Sequence, residues 1–437
     1  MFVVRTAKRP RAPWRIAVLG LLAWVVLHTR PARAQDPAPP LTLDAAIRLG
    51  LERNPELMAF RQQRGVAEGA VVIADTYPFN PVWEAKVREA NGPQSAGVEN
   101  SVSNEHKVLI DVEIHGQRRI RRQGAAATLS RTDWDIVFQE TALAVRVTRA
   151  FDTVLYRAAK QRLVDEAIAE NKRAVAQVDD WLKGKLVKPV DLIVIRTELD
   201  DTMAQLYAGQ TTLTTASHEL YRALGVVNET YRLDAHMALP EKPFDAEALV
   251  KTALERRADL QSRQFAVAEA DAKLRLEVAN RYGNPNLGPA YEYDPTRINL
   301  IGAQFTLPLP MFNTHRGEIM QRQAELARAT MELRQTEVQV QQDVYAALAR
   351  LDKARAWLDT YQKQVIPNLD KTLVEVRKLF QVPDSGVDLV RLIDIQRKKL
   401  KARDIELDAV LEVRQALADL AAAVGDPGIA VTAAPAP

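Results

Sequence analysis

The sequence contains no cysteine among its 437 residues. Disulfides, thiolate metal sites, a cysteine nucleophile and a lipid attached to an N-terminal cysteine are therefore excluded. The chain also lacks the G-x-S-x-G, P-loop and H-E-x-x-H motifs, and its histidines have no spacing typical of a metal site. We predict no enzyme activity, no catalytic residue, no cofactor and no metal site.

The N-terminal segment has the composition of a secretory signal peptide. A basic stretch precedes an unbroken apolar run over residues 16–27, and Ala32 and Ala34 form an A-x-A cleavage site. The alternative is a membrane anchor, but this run is shorter than the roughly 20 residues that a bilayer requires. We expect residues 1–34 to be removed after export.

Removal of this segment changes the charge of the chain. The full sequence has 59 basic and 56 acidic residues, but seven of the basic residues and none of the acidic ones precede residue 35, which leaves 52 basic residues. A slightly acidic chain lacks the concentrated basic surface that phosphate binding needs, so we predict no nucleic-acid partner. Since no later segment could span a membrane as a helix, the exported chain, if it meets a membrane, does so as a β-barrel or from its surface.

The remaining sequence presents the same order of signals twice. LDAAIRLGLERNPEL at 43–57 is matched by FDAEALVKTALERRADL at 244–260, and the dipeptide Asn80-Pro81 is matched by Asn284-Pro285 at nearly the same offset. Duplication at this scale indicates two halves with one plan. The predicted divisions are a disordered N-terminus at 35–40, a first repeat at 41–225, a linker at 226–243, a second repeat at 244–425 and a disordered tail at 426–437.

Each half begins with a helical stretch that an Asn-Pro dipeptide ends. These stretches run from Leu43 to about Ala74 and from Asp245 to about Ala279. Proline restricts the residue before it to extended geometry and cannot donate to a helix, so Asn54-Pro55 should also break the first stretch early.

After the second break the spacing of apolar residues drops to two. This alternation predicts two strands at about 81–115 and two more at about 286–309, each with an apolar and a polar face. Strands of about 9 to 12 residues are long enough to cross a bilayer when they are tilted.

Long helical hairpins complete both halves. The segment 116–182 has no proline, and a continuous helix of this length would reach about 100 Å. Its counterpart from Gly317 is interrupted only by Pro367, where we expect a kink. Glycine and proline then predict hairpin turns at about 183–190 and 381–388.

These features resemble the TolC-like outer-membrane efflux proteins. The similarity lies in LTLDAAIRLGLERNPEL at 41–57, the duplicated halves, the Asn-Pro dipeptides, the Gly-then-Asp-Leu turns and LPLPMFNTHRGEI at 307–319. The last segment is most similar to the metal-efflux branch, the CzcC and CusC relatives. The resemblance covers essentially all of residues 41–425.

The resemblance implies a mainly α fold with a membrane β-barrel. Four strands per chain are too few to close a barrel, whereas a homotrimer would supply twelve. The barrel would be continued by a long periplasmic α-helical barrel built from the duplicated hairpin halves. Anchoring would rest on contact between the β-barrel and outer-membrane lipid.

Particular residues acquire roles from this resemblance. The strands would start at Asn80, Pro81, Asn284 and Pro285. The strand residues that would face lipid are Trp83, Val87, Ile110, Val112, Ile301 and Phe305. The periplasmic tip and gate would contain Gly184, Asp191, Leu192, Asp384, Gly386, Asp388 and Leu389. Three copies of an acid there would favour cations, although an ordinary turn or cap role is the more common explanation for any one such acid.

The implied function is passive transport. A trimeric duct in the outer membrane, extending into the periplasm, would carry solute from an inner-membrane RND-type pump through a periplasmic adaptor (membrane-fusion) protein. Heavy-metal cations, drugs, organic acids and a secreted polypeptide all stay open as cargo. The alternative is a periplasmic coiled-coil structural or adaptor protein without a barrel, which would leave the amphipathic strands without a reason. A secreted helical enzyme would lack candidate residues.

Overall fold

A computed structural model of the chain describes residues 39–90, 101–184, 187–227, 229–234, 239, 243–380 and 389–431. Its contacts divide the chain into two units, and the smaller contains one parallel pairing of two-residue strands, β1 (Pro40–Leu41) with β4 (Arg232–Leu233). Pro40, which we expected in a disordered end, is therefore part of a strand. The backbone N–H of Arg232 donates to the carbonyl of Pro39 beside it (3.1 Å).

The larger unit is mainly helical and contains one four-stranded sheet. Its elements are α1 (Leu43–Arg53), α2 (Pro55–Arg61), α3 (Gln63–Asp75), β2 (Val82–Ala90), β3 (Ser101–Asp111), α4 (Gln117–Lys183), α5 (Pro189–Leu224), α6 (Ala246–Arg256), α7 (Ala258–Asn280), β5 (Asn286–Tyr293), β6 (Asn299–Thr306), α8 (Arg316–Thr360), a π-helical turn (Tyr361–Val365), α9 (Ile366–Phe380), α10 (Leu389–Val424) and α11 (Gly428–Val431). None of the helices in this described part carries a stretch long and apolar enough to cross a membrane.

The helical stretch that opens each half is broken at equivalent places. Asn54 separates α1 from α2, and its side-chain oxygen accepts from the N–H of Leu57 (3.1 Å). Arg257 separates α6 from α7 with nearly the same backbone angles. The sequence predicts one helical stretch from Asp245 to about Ala279, and the break at Arg257 corrects this prediction. The guanidinium of Arg257 bonds to Asp343 (2.9 Å) and reaches the Ala423 carbonyl (3.3 Å), and these long-range contacts accompany the break.

The positions of proline explain which long helix is continuous and which is interrupted. Helix α4 is continuous for 67 residues, which corresponds to about 100 Å. Helix α8 is followed by the π-helical turn, which ends two residues before Pro367, and the N–H of Ile366 donates to the carbonyl of Tyr361. Proline has no N–H and its ring crowds the carbonyl four residues earlier, so the preceding turn widens at this point.

The helices adjoining the sheet are packed side by side in the same order as the strands that they join. All neighbouring strands are antiparallel in the order β2, β3, β5 and β6, so β2 and β6 form its two edges. Helix α3 packs on α4, α4 on α7, and α7 on α8. Since α3 precedes β2 and α8 follows β6, each end of this helix row joins an edge strand.

A large core cluster lies between α6, α8 and α10. Val340, Val344, Ala347 and Leu351 on α8 alternate in steps of three and four and pack against small and aliphatic residues of α10, such as Leu417. This spacing is typical of long helices that lie side by side.

The C-terminal end extends this core. Residues 426–431 belong to the tail that we predicted to be disordered, and this prediction is wrong for them. The carboxylate of Asp426 accepts from the N–H of Gly428 (2.9 Å), α11 follows, and Ile429 packs against the core cluster while Ala430 is buried. The rest of the predicted tail lies outside the described residues.

Candidate functional site

The four-stranded sheet has two chemically different faces. Trp83 lies opposite Val108, Ile110 opposite Leu287, and Leu287 opposite Phe305. Residues directly opposite each other in antiparallel strands share a face. The apolar face is thus formed mainly by Trp83, Ala85, Val87, Val108, Ile110, Leu287, Pro289, Tyr291, Ile301, Ala303 and Phe305. The polar face carries Glu84, Lys86, Arg88, Glu105, Lys107, Asp111, Asn286, Glu292 and Gln304.

Most of the strand residues that we predicted to face lipid lie on the apolar face. Trp83, Val87, Ile301 and Phe305 are exposed there, and Ile301 is 86% exposed. Ile110 shares this face and is half-buried. Val112 lies one residue beyond the end of β3, where its N–H donates to the Pro285 carbonyl (2.8 Å). An apolar surface of this size has no cover within the described part of the chain and points to a partner or a lipid phase.

His106 is a polar side chain on the apolar face, opposite Ala85 and Tyr291. Its ring stacks between Trp83 and Tyr291, with centroid separations of 5.9 and 6.3 Å. This contact makes His106 a packing residue of the aromatic cluster.

Acidic and basic side chains lie close together on the polar face, so their charges offset each other. Glu105 lies directly opposite Glu292, which would be unfavourable for two carboxylates alone. Lys107 forms an ion pair with Glu105, and Lys86 and Arg88 each lie 3.8 Å from it. The face is therefore hydrophilic and carries both signs of charge.

The dipeptides before the strands connect sheet and helices. Asn80 and Pro81 are exposed directly before β2. The side-chain oxygen of Asn284 accepts from the amide of Gln117 at the start of α4 (2.8 Å), and Pro285 is buried. In the first half, the hydroxyl of Tyr77 donates to the carbonyl of Asp111 (2.5 Å). These bonds fix the direction in which the strands leave the helices.

The hairpin turn of the first half places three of the predicted tip residues. Gly184 ends α4, and its N–H donates to the Asp180 carbonyl (3.1 Å). The carboxylate of Asp191 accepts from the backbone N–H of Lys188 (2.9 Å), which caps α5. Leu192 is buried against Val178 and other apolar side chains of this hairpin.

Other charges at this turn are paired. Lys183 lies 2.9 Å from Asp179 and 3.1 Å from Asp180. The hydrogen bond from Lys183 holds the pKa of Asp179 below its ordinary value. In the second turn, Asp384, Gly386 and Asp388 lie outside the described residues, and Leu389 is the first residue of α10. The structure therefore gives Asp191 a capping contact and leaves its predicted gate role a prediction.

Ion pairs join the two halves, and sequence reasoning missed them. Arg414 on α10 binds Asp152 on α4, and both side chains are buried. Two turns further along α4, Lys160 lies 2.8 Å from both Asp404 and Asp408. Burial acts to lower the pKa of Lys160, but its hydrogen bonds to these aspartates outweigh it, and the pKa is raised. Such partners are far apart in the sequence, so no local spacing could have shown them.

The described residues contain no group of three or more His, Cys, Asp or Glu side chains that could hold a metal ion. The arrangement instead consists of surfaces: a sheet with one apolar and one hydrophilic face, continued at one end by long helices.

Known proteins are similar to this chain in sequence or in fold. No family model matches the chain. The cobalt-zinc-cadmium resistance protein CzcC of Cupriavidus metallidurans is 21% identical over 380 residues, which is 85% of this chain and 87% of that protein.

Several solved structures have the same fold, among them those of CusC and VceC. Crystal structures of CusC superpose with a TM-score of 0.71 and 16% identity, and the match covers 88% of this chain and 92% of theirs. The outer membrane protein VceC of Vibrio cholerae gives a TM-score of 0.69 and 15% identity over 88% of this chain and 96% of its own. In sequence and in fold, the chain is thus similar to the TolC-like outer-membrane efflux proteins of the CzcC and CusC type, which confirms the resemblance that its motifs indicate.

Proposed function

We propose that this chain is the outer-membrane channel of a tripartite efflux system, a passive duct that performs no catalysis. The observation that carries the proposal is the four-stranded sheet, which has one apolar face, one hydrophilic face and two edge strands. A sheet of this kind suits a barrel wall between lipid and water.

The edges of the chain support assembly into a closed ring. Strands β2 and β6 offer backbone groups for further pairing, and an uncovered edge is unfavourable. Exposed apolar residues continue both edges along the adjoining helices, with Val66 and Ile73 on α3 and Met331, Val338 and Tyr345 on α8. Residues seven positions apart share one helix face. The α3 side of one copy would therefore pack on the α8 side of the next, and three copies would give twelve strands.

In such an assembly, one face of the sheet would contact lipid and the other would contact water. The apolar face would contact the outer membrane, and the polar face would line the lumen. Helices α4, α5, α8, α9 and α10 would form the periplasmic part of the duct, after cleavage of the signal peptide. The relative CzcC is named for resistance to cobalt, zinc and cadmium, and heavy-metal cations are the cargo that this similarity favours.

The proposed partners meet the duct at its periplasmic end. The hairpin turn near Gly184 and Asp191 would face a periplasmic adaptor, which would connect the duct to an inner-membrane RND-type pump. The exposed apolar residues Val190 and Ile193 at the start of α5 offer contact surface there.

The test combines oligomer mass with conductance across a planar bilayer for the mature protein. We expect a detergent-solubilised trimer that conducts ions. Val338→Glu should weaken the trimer because it places a carboxylate in the proposed helix contact, whereas Gln339→Glu adds the same charge at the neighbouring exposed position and should not. A water-soluble protein without conductance would instead support the coiled-coil or adaptor alternative.

A further inference from the structure

A cleft of about 390 Å³ lies between α4, α8 and α10, beside the first residue of α7. It lies outside both the four-stranded sheet and the hairpin turns. Small-molecule sites in proteins have volumes of roughly 300–1,000 Å³ and are mostly apolar, with a few polar groups at defined places. The cleft has this size and composition, which makes it a candidate site for a small ligand.

Alanine side chains leave the space in this cleft. Each alanine ends at Cβ, so the three helices keep a gap that larger side chains would fill, and protein interiors rarely keep such gaps. Phe138 on α4 adds an aromatic ring, 38% exposed, to the same lining. A flat apolar group would cover these side chains. The alanines of the lining are Ala142 on α4, Ala346 and Ala347 on α8, and Ala422 and Ala423 on α10.

Two arginines from different helices converge at one end of the cleft. Arg149 on α4 and Arg350 on α8 each donate to a different carboxylate oxygen of Asp419 on α10. Their guanidinium groups therefore meet at one place, where the protein already holds a carboxylate. Planar guanidinium groups suit carboxylates, because they bind them through paired N–H donors.

These arginines retain N–H groups for a second carboxylate. Arg149 donates only through Nη2 within the described part of the chain. Arg350 uses Nη1 for Asp419 and Nε for Glu412 (2.8 Å). A guanidinium has five N–H donors, so both side chains have donors left over.

The net charge at this end of the cleft is positive. Lys353 lines the adjoining recess together with Arg350 and Glu412, and it forms no ion pair with a described residue. With Lys353, the three cations of this end outnumber its two carboxylates by one. At the other end, about 10 Å away along α8, Asp343 is paired with Arg257 (2.9 Å). An anionic group is therefore favoured at the end that contains Arg149.

We propose that this cleft binds a small aromatic carboxylate. The carboxylate accepts from the unused N–H groups of Arg149 and Arg350, and the ring covers the alanines and packs against Phe138. Since α4 lies in the first predicted repeat and α8 and α10 in the second, a bound ligand contacts both and stabilises the folded state. The proposal goes beyond the proposed function, because it requires neither a barrel nor a particular cargo.

Titration calorimetry with 2-naphthoate tests the carboxylate contact. The mature protein in detergent would be compared with the same detergent alone, which corrects for partition into micelles. We expect one site per chain, and Arg149→Gln should weaken binding about tenfold or more because it removes a hydrogen bond to a charged group. Arg173→Gln, at an exposed arginine of α4 outside the cleft, should bind like the parent protein.

The uncharged amide of the same ring completes this test. 2-Naphthamide should bind at least about tenfold more weakly than 2-naphthoate, because it has no negative charge for the guanidinium groups. Equal affinity for the two compounds, or equal affinity of Arg149→Gln and the parent protein for 2-naphthoate, would overturn the proposal. The absence of saturable binding to the parent protein would do the same.

Two leucine substitutions in α8 test whether the ligand occupies the cleft. Ala346→Leu fills the cleft from an exposed position and should abolish binding, whereas Ala356→Leu makes the same change at an exposed position outside it and should not. The unfolding temperature without ligand shows whether both variants remain folded. Undiminished binding by a folded Ala346→Leu variant would place the ligand elsewhere and contradict the proposal.

The absence of cysteine allows the site to be located directly. Ala346→Cys places a single thiol in the cleft, and Ala356→Cys places one outside it on the same helix. We expect saturating 2-naphthoate to slow the reaction of maleimide at position 346 several-fold and to leave position 356 unchanged. An unchanged rate at 346, or equal slowing at both positions, would show that the ligand does not bind in the cleft.

Discussion

Arg414 donates two hydrogen bonds of 3.1 Å to the carboxylate of Asp152, and both side chains are almost fully buried. The pair joins α4 to α10, which belong to the first and the second predicted repeat. On the same side of α4, the hydroxyl of Tyr156 donates to Asp408, and Lys160 bonds to Asp404 and Asp408. The two halves are thus fastened by polar contacts as well as by apolar packing.

Arg414→Met should lower the free energy of unfolding by about 3–5 kcal/mol, because it leaves the Asp152 carboxylate buried without a partner. Asp152→Leu combined with Arg414→Met should recover most of the loss, since apolar residues replace a buried ion pair at little cost. Chemical unfolding of the detergent-solubilised protein measures both. If the loss in the double variant equals the sum of the losses measured for Asp152→Leu and Arg414→Met separately, the pair is not coupled.

Stability should also depend on pH through Asp152. Burial raises the pKa of this carboxyl above its ordinary value of 3.8, although Arg414 opposes the effect. Between the ordinary and the raised pKa the folded state holds the proton more tightly than the unfolded chain. The free energy of unfolding should therefore fall as pH rises through that interval. Asp152→Asn removes the titrating group, so its unfolding profile should lack this slope; an unchanged slope would assign it to other groups.

Local sequence patterns predicted the helices and strands, but they did not predict the long-range contacts. The absence of proline between Gly116 and Leu182 indicated one long helix, and the step of two around Trp83 and Ile301 indicated strands. The Asp152 to Arg414 pair spans 262 positions. No periodicity encodes such a separation, because it depends on which helices become neighbours.

Equivalent positions of the two predicted repeats also show that local sequence patterns do not predict long-range contacts. Asn54 was recognisable as a helix break from Pro55, but Arg257 performs the equivalent role through contacts with Asp343 and Ala423. The predicted repeat boundaries and the gate role of Asp191 stay predictions. The sequence alone is compatible with either a helix-capping role or a gate role for Asp191. The structure shows that its carboxylate accepts a hydrogen bond from the N–H of Lys188, and it does not test the gate role.

Asn54 performs two functions that substitution can separate. Its oxygen caps α2 through Leu57, and its amide donates to the buried carbonyl of Ala223 (2.9 Å). Asn54→Ala should cost about 2 kcal/mol or more, because it removes the cap and leaves that carbonyl unpaired. Asn54→Ser keeps a capping oxygen but not the amide donor, so its loss should be smaller. Thermal unfolding measures both variants, and equal losses would argue that the cap contributes nothing.

Two arginine substitutions in β6, one on each face of the sheet, test which face contacts lipid. Ile301→Arg places a charge where the proposed barrel meets lipid and should destabilise the inserted state by roughly 2–4 kcal/mol. Gln304→Arg places the same side chain on the polar face of the same strand and should have a much smaller effect. Folding into lipid vesicles, followed by protease protection of the barrel, compares the two. Equal effects would contradict the assignment of lipid and lumen faces.

Asp191 offers a test of whether a tip acid acts by charge or by capping. Its carboxylate accepts from the N–H of Lys188, and an asparagine oxygen can accept the same bond. Asp191→Asn should therefore keep the hairpin turn while it removes one negative charge per copy, three in a trimer. If the charge controls conduction, cation selectivity across a planar bilayer should fall in Asp191→Asn and in Asp191→Ala alike. If capping is its role, Asp191→Asn should conduct like the parent protein and only Asp191→Ala should differ, because a frayed hairpin would loosen the periplasmic end of the proposed duct.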